Sequence, residues 1–458
     1  MPRGVVSTLL HPPVSPETIR GVKASVVRSG FGQYLLHSRG SAATYELSSQ
    51  SSQIDEFLSH SWSSSGRLKW LSLCLHHNGV AAVSAALIAG VLATVLEIAG
   101  LGTLPVVRHR WFDGQIRSIV FGPYLAAYSA FLLALLFWRW PDRVMFLDKI
   151  CIHQTDAELK RRGIESINRC IRSSSSLLLC YEPDAAPGEG YFDRLWCNFE
   201  LAAFVTKERE AGRATDRLVV LPLWRPVCVL VLQAGLVVAH GWEYASVLLG
   251  AASWSFSKGY VAKMTTALLI PFWLDIAGEE QKSAMLRQLR DFRFERAKCG
   301  DPADRDHVHA AIEELYGDGG GGASGVERFE HDVRRGDVFR AVEHALGRQV
   351  GVLTRFDIVT AFLPSVFRAF AYFPRNLEAQ PNLFLFHGVV IMGVSPLCRE
   401  AALRAYMYCS VARSETLRRL ALPKRVARTL ASLGTAAFFS VLVLAFSFPF
   451  TRVLQLMY

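Results

Sequence analysis

Long apolar runs alternate along this chain with shorter segments of mixed polarity. Val80–Leu104 carries Glu97 as its only charged residue, and Ser118–Trp138 carries none. Each run reaches the ~20 apolar residues that a helix needs to cross ~30 Å of hydrocarbon. The pattern predicts a transmembrane hairpin over residues 80–140, and a buried helical hairpin of a large globular core is the alternative.

Further apolar runs lie in the second half of the chain. Leu430–Phe450 has no charged residue and follows a strongly basic segment, so it is predicted to enter a membrane from the cytosol. Pro226–Trp273, within a predicted hydrophobic hairpin over 226–275, is interrupted by charges, as is Val352–Tyr372, and Leu383–Leu397 is short. Together with the first hairpin these runs predict about five to seven transmembrane helices.

The segments of mixed polarity alternate between strand and helix patterns. Such alternation is typical of an open α/β sheet. The predicted strands are Asp55–Ser59, Arg143–Leu147, Ser176–Tyr181, Leu218–Leu223 and a fifth at Phe292–Ala297. The predicted helices are Arg67–His77, Ala157–Arg172, Phe192–Lys207 and His307–Tyr316.

Two segments lack this alternation. Residues 1–53 are rich in Ser, Gly and Pro, contain no apolar core of signal-peptide length, and are predicted to be disordered. The glycine-rich stretch Gly317–Gly325 is interpreted as a flexible linker at a domain edge, since no phosphate-loop spacing follows it. After it, Phe329, Val333 and Val342 indicate amphipathic cytosolic helices up to residue 348.

Composition narrows the class of protein. With 51% hydrophobic residues, the chain is too apolar for an ordinary soluble enzyme. Its net charge of +10 comes largely from basic residues beside apolar runs, which favours anionic lipid headgroups as partners over nucleic acid. Nine cysteines without a Cys-x-x-Cys pair fit reduced thiols in the cytosol. Cys151 and His153 lack a second ligand pair, so no metal site is predicted.

The mixed segments, taken in order, resemble a Toll/interleukin-1 receptor homology (TIR) domain. The features shared with that family are a first strand that ends in Ser-His, a second that ends in an acidic residue, a third marked by serine and a Trp-Cys-x-x-Glu-Leu helix. Here these are Phe57–Trp62, Phe146–Gln154, Ser173–Leu179 and Tyr191–Leu201. Ordinary members of the family have no membrane hairpin between the first two strands.

The resemblance implies a flavodoxin-like parallel sheet of about four or five strands, combined here with an all-α membrane part. The TIR-like domain is predicted over residues 54–78 and 143–224, with a last strand and helix within 290–316. The C-terminal membrane region is predicted over 352–458, with its terminal span at 430–450.

The resemblance also implies a function. The leading hypothesis is a multi-pass membrane protein whose cytosolic TIR-like domain signals by assembling with like domains. Because some TIR domains hydrolyse the bond between nicotinamide and ribose, an NAD glycohydrolase is the alternative, with NAD as substrate and no cofactor. A polytopic transporter or channel with a degenerate TIR-like cap is a third hypothesis, for which Glu97 is the clear intramembrane candidate.

Five residues form the predicted site. By resemblance, Glu200 is the catalytic acid, and Trp196, one helical turn earlier, lines the base or ribose pocket. Ser59, His60 and Asp148 fall at the carboxyl ends of strands, where open α/β sheets bind their ligands, and are predicted to contact the substrate.

Each of these residues also has a structural interpretation. Glu200 would pair with Lys207 or Arg194, and Trp196 would belong to a core stripe with Phe192, Phe199 and Ala203. Asp148 would cap the turn that follows it. His60 would be a hydrogen-bonded structural histidine.

Overall fold

The chain divides into two compact units in the computed structural model. The first unit comprises residues 1–76, 139–226 and 281–349, and the second comprises 77–138, 227–280 and 350–458. The structure describes residues 19–102, 106–110, 116–182, 189–213, 215–248, 281–299, 302–317, 323–347 and 355–361, together with 363, 364, 367, 370 and 371.

The strands of the described residues are numbered in chain order. They are β1 (Arg20–Lys23), β2 (Ser49–Gln50), β3 (Ile54–His60), β4 (Val107–Arg110), β5 (Ile116–Ile119), β6 (Val144–Phe146), β7 (Ser174–Tyr181) and β8 (Leu218–Pro222). The α-helices are Ala24–Val27, Ser29–Gly32, Ala42–Tyr45, Gly66–Ile98, Gly122–Phe137, Asp148–Cys151, Ala157–Glu165, Ile167–Ser173, Leu195–Glu210, Arg225–Leu248, Pro302–Tyr316, Gly325–Arg335, Asp337–Gly347 and Arg355–Ala361.

The first unit is built on a six-stranded sheet in the order β2-β1-β6-β3-β7-β8. Strands β6, β3, β7 and β8 are parallel, whereas β1 runs antiparallel to both β6 and β2. The apolar residues of these parallel strands are buried, as expected for strands covered on both faces, and β3 also buries Glu56 and Ser59. After β6 the chain crosses to the other side of β3 to form β7, so the order of strands reverses at β3.

The predicted pairing of the strand at Leu58 with the strand at Phe146 is confirmed. In the parallel ladder between β3 and β6, Glu56 lies opposite Met145, and Phe57 lies opposite Phe146. The two phenylalanine rings are stacked with their centroids 4.7 Å apart and their planes at 10°. The sheet therefore joins segments that are separated in sequence by the whole apolar hairpin.

The prediction that residues 1–53 are disordered is wrong for residues 19–53. This segment supplies β1 and β2, and its apolar side chains Val22, Val27 and Leu35 are buried in the same core as the parallel strands. The error has a physical reason: the apolar residues occur in very short elements that have no periodicity of their own and are stabilised by the sheet edge. Residues 1–18 lie outside the described residues.

The prediction of a fifth strand at Phe292–Ala297 is also wrong. Phe294–Arg296 is a 3-10 helix, and the two phenylalanines are buried on alternate positions without joining the sheet. Lys298 instead pairs with the segment just before the Glu200 helix, donating its N–H to Asp193 O at 2.7 Å. The alternation of apolar and polar residues that predicted a strand therefore belongs to an irregular segment.

The helices after the glycine-rich stretch belong to the first unit. Phe329, Val333 and Val342 are buried in its core, and Tyr316 Oη donates to Asp332 Oδ2 at 2.8 Å across that stretch. The stretch is therefore a connection within one unit, and the prediction that it marks a domain edge is wrong.

The second unit contains most of helix Gly66–Ile98, the helix Gly122–Phe137, and the β4–β5 hairpin that lies between them in sequence. Asn78 Nδ2 donates to Leu135 O at 2.8 Å, and Gln233 Nε2 donates to Thr360 O at 2.7 Å. These side-chain amides satisfy backbone carbonyls inside an otherwise apolar set of helices.

Two described segments are long and apolar enough to cross a membrane. They are the helix Gly66–Ile98 and the part Arg225–Trp242 of the helix Arg225–Leu248. The predicted span 118–138 is shorter than expected, because β5 occupies its start and the helix Gly122–Phe137 has 16 residues. Two candidates are weak support for about five to seven transmembrane helices. The predicted spans at 383–397 and 430–450 lie outside the described residues.

Candidate functional site

Four of the five predicted site residues lie at one end of the parallel sheet. Ser59 and His60 are the last residues of β3, and Asp148 lies two residues after the end of β6. Glu200 lies on the helix Leu195–Glu210, which follows β7 in the chain. Because parallel strands share the position of their carboxyl ends, this placement matches the usual ligand-binding edge of an open α/β sheet.

The Glu200 carboxyl is held by a short chain of hydroxyl groups. Ser59 Oγ donates to Glu200 Oε2 at 2.5 Å and lies 2.6 Å from Tyr191 Oη. Tyr191 Oη also lies 3.1 Å from the carbonyl oxygen of Cys197, which is its second possible hydrogen-bond acceptor. Tyr191 begins the 3-10 turn Tyr191–Asp193 just before the Glu200 helix, and this turn places its buried side chain beside β3.

Burial raises the pKa of Glu200 to about 8, and the negative charge of Asp148 adds to the rise. The hydrogen bond from Ser59 acts in the opposite direction, because it stabilises the carboxylate. A carboxyl group with this pKa exchanges its proton near neutral pH. It is therefore suited to act as a general base or acid.

Asp148 forms a second acidic position beside the first. Its Oδ2 accepts a hydrogen bond from Trp62 Nε1 at 2.9 Å, and its Oδ1 accepts one from the backbone N–H of Lys149 at 2.6 Å. Burial raises the pKa of the Asp148 carboxyl, while these two hydrogen bonds and two nearby lysines lower it. Asp148 is therefore the first residue of the helix Asp148–Cys151 and not its N-cap, which is Leu147, so the predicted capping role is wrong.

His60 is a buried, neutral residue of the site. Its pKa is well below the ordinary value because of burial and the nearby positive charge of Lys69. Its Nδ1 lies 3.4 Å from Leu58 O, and its Nε2 has no hydrogen-bond partner among the described residues. The ring packs edge-on against Trp62 with centroids 4.5 Å apart. This nitrogen is therefore a buried polar atom without a described hydrogen-bond partner.

Two buried lysines accompany this cluster. Lys69 Nζ donates to Ser61 O at 2.6 Å, and Lys149 Nζ donates to His37 O at 2.9 Å. Both ammonium groups lie over the ring of Trp62, at 5.5 and 5.9 Å from its centroid. Burial lowers the pKa of Lys69 to about 8. Their positive charges offset the carboxyl groups of the site.

Trp196 makes its described contacts outside this cluster. Its Nε1 donates to Asp304 Oδ2 at 3.2 Å, and its ring packs edge-on against Phe199 with centroids 5.9 Å apart. The indole therefore fastens the helix Pro302–Tyr316 to the Glu200 helix. These contacts match the interpretation of Trp196 as part of a core stripe.

The structure thus joins Ser59 directly to Glu200 and places His60 and Asp148 around Trp62. The ion pairs considered for Glu200 from the sequence are not among its described contacts, since Lys207 pairs with Glu208 at 3.4 Å. Sequence reasoning missed Tyr191, Trp62 and the two lysines as members of the site. The signal for Trp62 was its position directly after the Ser-His end of the first strand.

Comparison with known proteins finds no matching family model, no similar curated protein and no similar solved structure.

Proposed function

We propose that the chain is a membrane-attached protein whose TIR-like domain hydrolyses the N-glycosidic bond of NAD, with Glu200 as the catalytic residue. The order of the parallel strands supports the resemblance: β6-β3-β7-β8 corresponds to second, first, third and fourth along the chain, as in flavodoxin-like sheets. The positions of Ser59, His60, Asp148 and Glu200 at one end of the sheet are consistent with the resemblance, whereas the contacts of Trp196 are not.

One observation carries the proposal. The Glu200 carboxyl, whose pKa is about 8, is bonded to Ser59 at the carboxyl end of β3, beside the reversal of strand order. Folding has placed an acid there in an environment that disfavours its ionised form. Surroundings of this kind are typical of catalytic carboxyl groups, and a purely structural acid at the surface would have no need of them.

The chemistry follows from this environment. When the bond between nicotinamide and ribose breaks, its electron pair goes to the pyridine nitrogen, and the ribose becomes an oxocarbenium-like cation. The Glu200 carboxylate stabilises that cation. This electrostatic stabilisation is stronger in a buried site than it would be in a site filled with water. Water then bonds to the cationic carbon, and its proton passes to Glu200. The products are nicotinamide and ADP-ribose.

The substrate itself favours the ionised form of Glu200. The nicotinamide ring of NAD carries a positive charge, and a nearby cation lowers the pKa of a carboxyl group. The burial that raises the pKa in the free protein is therefore opposed once the substrate is bound. A general base with a pKa near the working pH is the most efficient for proton transfer.

The exposed apolar surface of one helix supports attachment to a bilayer. In Gly66–Ile98, Ile88 is 61% exposed and Leu92 is 59% exposed, and Val80, Val91, Val95 and Leu96 are exposed as well. Monomeric soluble proteins rarely expose apolar surface of this extent. Under this proposal, the TIR-like domain faces the cytosol and the hairpin 80–140 returns the chain to the side from which it left.

The contacts of Trp196 favour a second candidate, signalling by domain assembly without catalysis. Catalysis by the family's pattern would place an aromatic ring beside the glutamate, but the Trp196 indole bonds to Asp304. An assembly role requires a folded TIR-like domain, a membrane anchor and self-association or contact with other TIR-like domains, and it does not require a nucleotide pocket.

The test uses the full-length protein in proteoliposomes incubated with NAD, with free nicotinamide measured by chromatography. We expect nicotinamide release by the wild type and a loss of about 10²–10³-fold in Glu200→Gln, as for other groups that stabilise transition-state charge. Glu210→Gln is the matched control, because Glu210 is exposed on the same helix and pairs with Arg172. Equal release by Glu200→Gln and the wild type contradicts the proposal, and a folded wild type that releases none leaves the assembly role.

A further inference from the structure

Two hydroxyl groups lie in a row beside Glu200, and the role assigned to them here rests on the proposed function. We propose that Tyr191 is a positioning residue for Glu200: through Ser59 it forms a hydrogen-bond chain that reverses its direction when Glu200 takes up a proton. Tyr191 is buried and acts only through Ser59, so it touches neither substrate nor reacting atoms.

The distances define the chain. Glu200 Oε2, Ser59 Oγ and Tyr191 Oη are joined by contacts of 2.5 and 2.6 Å, and Tyr191 Oη reaches Cys197 O at 3.1 Å. A hydroxyl group has one proton to donate and two lone pairs that accept. With four oxygens in a row, the direction of the two hydroxyl protons is set by the group at the Glu200 end.

Two complete arrangements exist. When Glu200 is ionised, Ser59 donates to the carboxylate and Tyr191 donates to Ser59. When Glu200 is protonated, it donates to Ser59, Ser59 donates to Tyr191, and Tyr191 donates to the Cys197 carbonyl. In each state every hydroxyl proton is in a hydrogen bond. Neither form of Glu200 therefore leaves a buried donor without an acceptor. Rotation of the two hydroxyl groups interconverts the arrangements.

This property suits a group that gains a proton during each turnover. In the proposed reaction, Glu200 receives a proton from the attacking water and releases it afterwards. A carboxyl group held by a fixed donor would resist the proton, because a permanent hydrogen bond favours the carboxylate. The chain removes that bias, since Ser59 has Tyr191 as an alternative acceptor.

Other charges around Glu200 set the background against which the chain acts. Asp148, after β6, acts on Glu200 directly, whereas Lys69, on the helix Gly66–Ile98, and Arg194, just before the Glu200 helix, act on the neighbouring Cys197. Cys180 on β7 faces Tyr191 from the sheet. Substitution of an uncharged hydroxyl group leaves all of these charges in place, so its effect on Glu200 reports on the chain.

The two hydroxyl groups are predicted to have opposite effects. Without the Tyr191 hydroxyl, the Ser59 proton has only Glu200 to bond, so Tyr191→Phe stabilises the carboxylate and lowers the pKa of Glu200. Without the Ser59 hydroxyl, the carboxylate loses its donor, so Ser59→Ala raises that pKa. Each shift should be about one pH unit, the size expected for one hydrogen bond to a charged group.

The test is a pH titration of the carboxylic-acid C=O band by infrared difference spectroscopy on the full-length protein. The band that is missing in Glu200→Gln is assigned to Glu200. We expect its midpoint to move down in Tyr191→Phe and up in Ser59→Ala, and the acid limb of NAD cleavage to move with it. Tyr181→Phe, which removes another buried tyrosine hydroxyl, on β7, should leave the midpoint unchanged.

The outcomes separate the two proposals. Midpoints that move in opposite directions support the chain, whereas midpoints that stay fixed or move in the same direction overturn it. Absence of NAD cleavage by the wild type overturns the proposed function, and the infrared midpoints are measured without substrate. Near-ultraviolet circular dichroism checks that Tyr191→Phe is folded, and Ser59→Ala tests the chain independently.

Discussion

Ser59 Oγ lies 2.5 Å from Glu200 Oε2, although the two residues are 141 positions apart in the chain. The contact exists because β3 and β7 are neighbours in the sheet, so the helix that follows β7 passes the carboxyl end of β3. It turns two separate sequence motifs into one site. The raised pKa of Glu200 at this contact has a consequence for stability that does not depend on any substrate.

The first prediction is that Glu200→Gln becomes more stable relative to the wild type as pH rises. Between 4.5 and about 8, folded Glu200 holds a proton that the unfolded chain has released. The wild type therefore loses up to about 1.4 kcal/mol of unfolding free energy per pH unit in this window. Glutamine does not titrate, so the variant lacks this loss.

Urea unfolding of both full-length proteins in detergent, at a series of pH values, measures the difference. We expect the free energy of unfolding of Glu200→Gln minus that of the wild type to increase from pH 5 and to level off above about pH 8. Asp148 is present in both proteins, so its titration largely cancels. A difference that is constant with pH would show that Glu200 has an ordinary pKa.

The stacked pair of Phe57 and Phe146 leads to the second prediction. Phe146 is buried on β6, a strand of only three residues, and its ring supports the parallel ladder to β3. Phe146→Ala should reduce the free energy of unfolding by about 3–5 kcal/mol, the usual cost of removing a buried phenylalanine. Phe146→Leu, which keeps most of the apolar volume, should cost much less. Thermal unfolding compares the two, and equal small losses would contradict the pairing.

Two glycines with positive φ provide the third prediction. Gly32 has φ +78° and Gly212 has φ +63°, so alanine at either position strains the backbone by about 1–2 kcal/mol. A Cβ on Gly32 would also lie 2.5 Å from Trp70 Cβ, whereas nothing lies within 4 Å of one on Gly212. Gly32→Ala should therefore destabilise the protein more than Gly212→Ala, by about 1–3 kcal/mol. Chemical unfolding of both variants measures this difference, and equal losses would contradict the close packing at Trp70.

The contact between Trp196 and Asp304 gives the fourth prediction. If the indole mainly fastens two helices, Trp196→Phe and Asp304→Ala should each destabilise the protein, and the double variant should lose less than the sum. The coupling should be about 0.5–1.5 kcal/mol, as for one hydrogen bond. We expect KM for NAD to be unchanged in Asp304→Ala. An increase in KM without loss of stability would instead place Trp196 at the substrate.

The elements that were predictable share one property: each carries a local pattern that tertiary structure did not override. β7 and β8 contain continuous apolar runs, β3 has the apolar pair Phe57 and Leu58 before its Ser-His end, and the Glu200 helix begins and ends close to its predicted limits. Their family resemblance indicated that Ser59, His60, Asp148 and Glu200 would share one edge of a sheet, and the structure places them there.

The elements that were missed depend on distant partners. β1 is only four residues long. It forms because it pairs with β6, which lies more than a hundred positions later in the chain. Tyr191 belongs to one of the segments that carry the family resemblance, but only the fold shows that its hydroxyl reaches Ser59. Trp196 was assigned to the pocket by helical spacing, which cannot reveal that Asp304 approaches from another helix.

The order in which the chain is made gives the split sheet a further consequence. Trp62 and Asp148, which meet across β3 and β6, are 86 positions apart, and the apolar hairpin is synthesised between them. At ~5–20 residues per second, a ribosome needs roughly 4–17 s to pass from one to the other. During that interval β3 has no parallel neighbour on either side, since β6 and β7 are both still to be translated. The parallel part of the sheet can therefore form only after the apolar hairpin has been translated.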